Sequence, residues 1–102
     1  MGAVTPIGIG VQTFWQSLLA GKCGIGAITS FDAAALPVRI AAEIGPLPED
    51  CLQNLPRTAA PFMQFAFLAG SEALAQSGLN VLATPERVGI CVATAMACRL
   101  PK

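Results

Sequence analysis

The residue that most resembles a catalytic nucleophile is Cys98, which ends the stretch VGICVATAMAC at residues 88–98. A cysteine attacks a carbonyl as its thiolate, and it needs a neighbouring base or cation to hold that charge. The chain contains no histidine, and the adjacent Arg99 cannot accept a proton. Only residues 99–102 follow, too few for a helix whose dipole would favour the thiolate. We therefore expect no nucleophilic role for Cys98 within this chain.

Other recurring site patterns are incomplete. The stretch GIGVQT lacks the third glycine of a dinucleotide-binding loop, and AGKC fails the P-loop pattern. Glu49 and Asp50 are adjacent carboxylates, but their proline-bounded turn favours ordinary solvated charges. Without histidine, zinc would need four thiolates, and no CxxC pair is present. The sequence predicts no metal site, and it predicts reduced thiols at Cys23, Cys51, Cys91 and Cys98.

Charge and hydropathy argue against several classes of partner. Six basic and six acidic residues give a formal net charge of zero without a basic cluster, so we expect no nucleic-acid binding. The longest apolar stretch is interrupted by Gln64, Ser71 and Glu72, so we expect no membrane span. Hydrophobic residues make up 54% of the chain and charged residues 12%, which is typical of the interior of a larger protein.

Two helices are predicted to form the framework. Apolar residues at helical spacing place the first over residues 11–20, and Gly21 is expected to end it. The second helix is expected to begin at an N-cap Thr58, with Pro61 in its first turn, and to end at Gly78. Apolar side chains cover most of its circumference, so this helix requires burial on most sides.

Strands complete the predicted pattern. Residues 38–45 are typical of a short strand, and residues 48–52 of a short helix within a turn. The apolar, β-branched run at residues 87–95 favours a central, buried parallel strand. The Gly-rich segments 4–10 and 21–37 are expected to be loops. A helix followed by a buried strand is half of a βαβ unit, so the sequence predicts an α/β fold.

Three segments in order carry a family resemblance. Thr5, Pro6 and Gly8 match a Ser/Thr-Pro-x-Gly turn that precedes a helix with Trp, Leu-Leu and a Gly-rich end. The segment RTAAPFMQFAFLAGSEALAQSGL is similar to a long buried helix, and PERVGICVATAM to the strand after it. Together they resemble the β-ketoacyl-(acyl-carrier-protein) synthases over residues 1–96, whereas residues 97–102 match nothing in that family.

The resemblance implies a fold and a reaction. The family has the thiolase-like fold, in which mixed sheets are layered between helices, and its members are usually homodimers. They elongate acyl chains by decarboxylative Claisen condensation with malonyl-carrier protein, using a cysteine and two histidines that lie further along the chain. The phosphopantetheine belongs to the acyl carrier protein, so no organic cofactor is implied. We expect an incomplete N-terminal fragment that is inactive alone.

The resemblance carries over one weak site residue and no catalytic one. Arg57 falls where relatives have a basic residue close to the carrier-protein docking region, although Ala60 replaces an Asp that is frequent there. A solvated arginine at a helix start is the alternative reading of Arg57. Two further functions remain open: a non-catalytic interaction module, and part of a polyketide-type ketosynthase. The expected compartment is the cytoplasm, with mitochondrion and plastid as alternatives.

Overall fold

The computed structural model describes residues 1–95, and their contacts divide them into two compact units. One unit comprises residues 3–47, and the other comprises residues 1–2 with the described residues from 48 onward. The two helices and two small antiparallel sheets within the described range confirm the predicted α/β class. Neither helix there has the length and hydropathy that crossing a bilayer requires.

The unit of residues 3–47 opens with a hairpin in a segment that was predicted to be a loop. Strands β1 (Val4–Thr5) and β2 (Gly8–Ile9) pair in antiparallel fashion. The Thr5 hydroxyl donates to the carbonyl oxygen of Gly8 at 2.8 Å, which stabilises the turn between them. The prediction of a loop over residues 4–10 was therefore wrong, because two-residue strands are too short to show an alternating pattern.

Helix α1 (Val11–Leu19) follows the hairpin and confirms the first predicted helix. Gly21 ends it with φ of 68°, a left-handed conformation that favours glycine. The buried Ser17 hydroxyl donates to the carbonyl oxygen of Ile7 at 2.7 Å and fastens the helix to the hairpin. Much of the apolar face stays in solvent, since Trp15 is 57% exposed and Leu19 is 69% exposed.

A second hairpin completes this unit. Strand β3 (Ile25–Ala27) pairs antiparallel with β4 (Ile40–Ala42). The strand predicted over residues 38–45 is thus present but shorter. The prediction of a loop over residues 21–37 was wrong at β3. The segment is rich in glycine, which is unfavourable in strands, so its sequence did not indicate a strand.

The other unit contains a 3₁₀ helix (Glu49–Leu52), which confirms the short helix expected there, and helix α2 (Pro61–Ser77). The N-cap of α2 is Ala60 rather than Thr58. Pro61 occupies the first helical turn and restricts the residue before it to extended backbone, so the helix cannot begin earlier. Gly78 ends the helix with φ of 67°, as predicted.

The strand predicted over residues 87–95 does not form in the described part of the chain. A 3₁₀ helix (Pro85–Arg87) precedes irregular backbone, and Ile90 is 86% exposed. A central parallel strand requires a hydrogen-bonded strand on each side, and no strand within residues 1–95 pairs with this run. Helix α2 likewise buries only Leu68 among its described side chains, short of the burial that its composition requires.

Candidate functional site

A cleft of about 700 Å³ lies in the unit that contains α2. The 3₁₀ helix Glu49–Leu52, the turns after it and the first turn of α2 form its walls. Its lining mixes two carboxylates, one guanidinium, two amides and three apolar side chains, namely Glu49, Asp50, Leu52, Gln53, Leu55, Pro56, Arg57 and Gln64. This lining is more polar than the mostly apolar lining that is typical of a small-molecule pocket.

Consecutive backbone turns shape this cleft. The N–H groups of Cys51, Leu55 and Ala59 each donate to the carbonyl oxygen of the residue three positions earlier, at 3.3, 3.0 and 2.9 Å. Pro48 and Pro56 supply the acceptor carbonyls of two of these turns. The turns bring Arg57 to the same cleft as the carboxylates of the 3₁₀ helix.

Gln64 fixes the start of α2 against the turn that carries Arg57. Its Nε2 donates to the carbonyl oxygen of Ala59 at 3.2 Å. This bond satisfies a backbone acceptor in a stretch that has no side-chain cap of its own. Gln64 therefore acts on the cleft through the position of the backbone around Arg57.

The charges of the cleft are open to a partner. Glu49, Asp50 and Arg57 are all exposed, and within residues 1–95 the Arg57 guanidinium forms no ion pair. Two carboxylates against one guanidinium leave the cleft with one net negative charge. Its lining contains neither a thiol nor an imidazole, so this arrangement can bind and orient a partner but offers no nucleophile.

The predicted site residues fall in different places. Arg57 lines the cleft, but its contact with a partner stays a prediction. The candidate nucleophile Cys98 lies outside the described residues. Cys23, Cys51 and Cys91 are exposed, and within residues 1–95 no group of acidic and thiol side chains is arranged to hold a metal.

Neither the cleft itself nor the contributions of Gln53 and Gln64 were predicted from the sequence. The available signal was the segment PLPEDCLQNLP, in which prolines bound a polar stretch directly before a helix. That pattern indicates turns, but it does not indicate which side chains the turns bring together. Glu49 and Asp50 are exposed, as expected for solvated charges.

A separate carboxylate is held by backbone groups in the unit of residues 3–47. Glu43 accepts hydrogen bonds from the N–H groups of Thr29 at 2.7 Å and Ser30 at 3.1 Å. The bond from the Thr29 backbone, followed by the contribution of the Ser30 side chain, lowers the pKa of the Glu43 carboxyl below its ordinary value. This site fixes a loop, and within residues 1–95 Glu43 has no charged partner that would indicate catalysis.

Comparison with known proteins places the chain beside condensing enzymes. Residues 1–100 match the family described as "Beta-ketoacyl synthase, N-terminal domain". The chain is 39% identical over 95 residues to 3-oxoacyl-(acyl-carrier-protein) synthase 2 of Coxiella burnetii, covering 90% of this chain and 23% of that protein. It is 39% identical over 97 residues to the oxytetracycline polyketide putative beta-ketoacyl synthase 1 of Streptomyces rimosus, covering 93% and 23%.

A third relative shows the same pattern. The 3-oxoacyl-(acyl-carrier-protein) synthase 2 of Synechocystis sp. is 37% identical over 100 residues, covering 92% of this chain and 23% of that protein. The chain thus spans about a quarter of the length of the curated relatives it matches.

Proposed function

Because the chain belongs to the β-ketoacyl synthase family, we propose that it forms the N-terminal part of a 3-oxoacyl-(acyl-carrier-protein) synthase of fatty-acid biosynthesis. In the proposed reaction, an acyl group is transferred from a carrier protein to a cysteine thiol of the whole enzyme. Malonyl-carrier protein then loses carbon dioxide, and its carbanion attacks the acyl thioester and releases the thiolate. The proposed whole enzyme is a homodimer in the cytoplasm, with mitochondrion and plastid as alternative compartments.

The share of this reaction that we assign to the chain is carrier-protein binding. The supporting observation is the exposed Arg57 guanidinium, which lines the cleft and has no ion-pair partner within residues 1–95. An arginine in this state can pair with a carboxylate of an acidic carrier protein without first breaking another contact. Exposed interface charges of this kind act mainly on the rate and orientation of docking.

We assign no step of the condensation to the chain alone. Its 102 residues contain no histidine, so no imidazole is available to assist decarboxylation or to stabilise an oxyanion. The purified chain, supplied with acyl- and malonyl-carrier protein, is expected to give no 3-oxoacyl product. Formation of that product would contradict this assignment.

Binding to a fluorescently labelled bacterial acyl carrier protein tests the proposal. Fluorescence anisotropy at low salt should show that Arg57→Glu weakens the affinity about two- to tenfold, because an attraction becomes a repulsion. Arg87→Glu is the matched control, since it makes the same change of charge at an exposed residue that does not line the cleft. Equal affinities of the two variants, or no binding by the unaltered chain, would contradict the proposal.

A polyketide-type ketosynthase is the second candidate function. It is supported by the Streptomyces rimosus relative, which is as similar to this chain as the Coxiella burnetii relative is. Parallel titrations with a fatty-acid and a polyketide carrier protein distinguish the two candidates. Tighter binding of the polyketide carrier protein would favour the second.

A non-catalytic interaction module is a third reading, and the exposed apolar residues of α1 support it. Such a module should form soluble complexes with a partner during size-exclusion chromatography. A chain that elutes as a soluble monomer and captures no synthase would contradict this reading.

A further inference from the structure

We infer that Glu49 and Asp50 oppose the docking of an acidic partner at Arg57 and so restrict the orientation in which it binds. The inference rests on the proposed function and adds a specificity role for two side chains that neither the family match nor the relatives assign. It concerns which acidic surfaces the cleft accepts.

The three charges share one cleft. Glu49 and Asp50 begin the 3₁₀ helix, and Arg57 lies beyond the turns that follow it. All three are exposed, and Arg57 is not neutralised by an ion pair within residues 1–95. A partner side chain that enters the cleft therefore experiences attraction from one wall and repulsion from another.

The balance of these charges determines which acidic partner surfaces can bind in the cleft. The cleft carries one net negative charge, so an acidic surface is repelled unless one of its carboxylates lies close to Arg57. Salt at about 0.15 M screens interactions between charges more than roughly 8 Å apart. The attraction between Arg57 and a partner carboxylate in contact with it is therefore stronger than the repulsion between the cleft and carboxylates further away on the partner. A single well-placed carboxylate is accepted, whereas a dense acidic patch centred on the cleft is rejected. Such repulsive elements are a common source of interface specificity.

Removing the two carboxylates tests the inference. In the anisotropy assay with labelled acyl carrier protein, the double variant Glu49→Gln with Asp50→Asn should bind about two- to fivefold more tightly at low salt. The gain should disappear at high salt, because it is electrostatic. The matched control is Asp32→Asn with Glu86→Gln, which changes the net charge equally at residues that do not line the cleft.

A change of opposite sign provides a second test. Gln53 also lines the cleft, so Gln53→Glu adds a third carboxylate there and should weaken the binding about twofold or more. All positions altered in these variants are exposed, and far-UV circular dichroism verifies that each variant keeps its fold.

The outcomes separate this inference from the proposed function. If Arg57→Glu weakens binding but the Glu49 and Asp50 variant equals its control, the inference is wrong and the proposed function stands. If Arg57→Glu has no effect, the proposed function is wrong and the inference is wrong with it. Tighter binding of both double variants by the same factor would mean that net charge alone is responsible, and it would also overturn the inference.

Discussion

The carboxylate of Glu43 accepts a hydrogen bond from the backbone N–H of Thr29 at 2.7 Å, across the β3–β4 hairpin. The second carboxylate oxygen accepts the N–H of Ser30 at 3.1 Å. One side chain directly after β4 thereby satisfies two successive donors in the loop that leaves β3. These bonds fix the loop in a hairpin of only three residue pairs, where backbone pairing alone is weak.

Replacing this carboxylate should loosen the loop. Glu43→Gln keeps the size of the side chain but removes its charge and directs an NH₂ group at one of the two N–H donors. We expect faster amide hydrogen exchange at Thr29 and Ser30 at pH 7. Glu86→Gln is the control, because no side-chain hydrogen bond is formed by Glu86 in the described residues. Unchanged exchange at both amides would contradict the assigned role.

The Glu43 hydrogen bonds also predict how the stability of the chain depends on pH. The pKa of Glu43 is lowered in the folded chain, so the carboxylate contributes its full stabilisation above the ordinary glutamate value of about 4.3. That contribution is lost as the pH falls through the lower folded-state pKa. The difference in stability between the unaltered chain and Glu43→Gln should therefore be constant from pH 5 to 7 and shrink below about pH 4. A difference that grows on acidification would contradict this sign.

Ser17 should be the most sensitive polar residue of the first unit. Ser17→Ala removes the hydroxyl that donates to the part-buried Ile7 carbonyl, at a cost of about 0.5–1.5 kcal/mol. Urea unfolding followed by far-UV circular dichroism measures the effect. Ser71→Ala, at an exposed position in α2, should cost nothing because alanine favours helix. Equal midpoints for the two variants would contradict the role of Ser17.

Gly2 and Gly70 should respond to alanine in opposite directions. A Cβ on Gly2 would overlap the backbone carbonyl of Ala69, so Gly2→Ala should destabilise the chain by about 1–3 kcal/mol. A Cβ on Gly70 meets nothing within 4 Å, and Gly70→Ala should stabilise α2 by about 0.5–1 kcal/mol. Thermal unfolding measures both changes. Equal melting temperatures would show that Gly2 does not lie against the Ala69 backbone.

Local signals predicted the helices well. The spacing of apolar residues in α1 and the glycines that end both helices act within one or two turns, so the sequence alone reveals them. The N-cap of α2 was misplaced by two residues, because the restriction that Pro61 imposes on Ala60 outweighs the preference of Thr58 for capping.

Features that depend on distant partners were not predicted correctly. The apolar run after Arg87 has the composition of a buried strand, but strand formation requires hydrogen-bonding neighbours that residues 1–95 do not supply. The cleft was missed for a related reason, since the turns after Pro48 determine which side chains meet Arg57. Arg57 itself was selected through the family resemblance, and no local pattern distinguishes it from a solvated arginine.

The central claim is that an acyl carrier protein docks at the Arg57 cleft, and mapping the contact by NMR tests it most directly. The ¹⁵N-labelled chain is titrated with unlabelled acyl carrier protein at low salt, and backbone amide shifts are followed for residues 1–95. We predict that the largest shifts occur at Gln53, Arg57 and Gln64 and that, at the same carrier-protein concentration, they are smaller in Arg57→Glu. Shifts centred on β3 and β4, or shifts that are undiminished in Arg57→Glu, would contradict the claim.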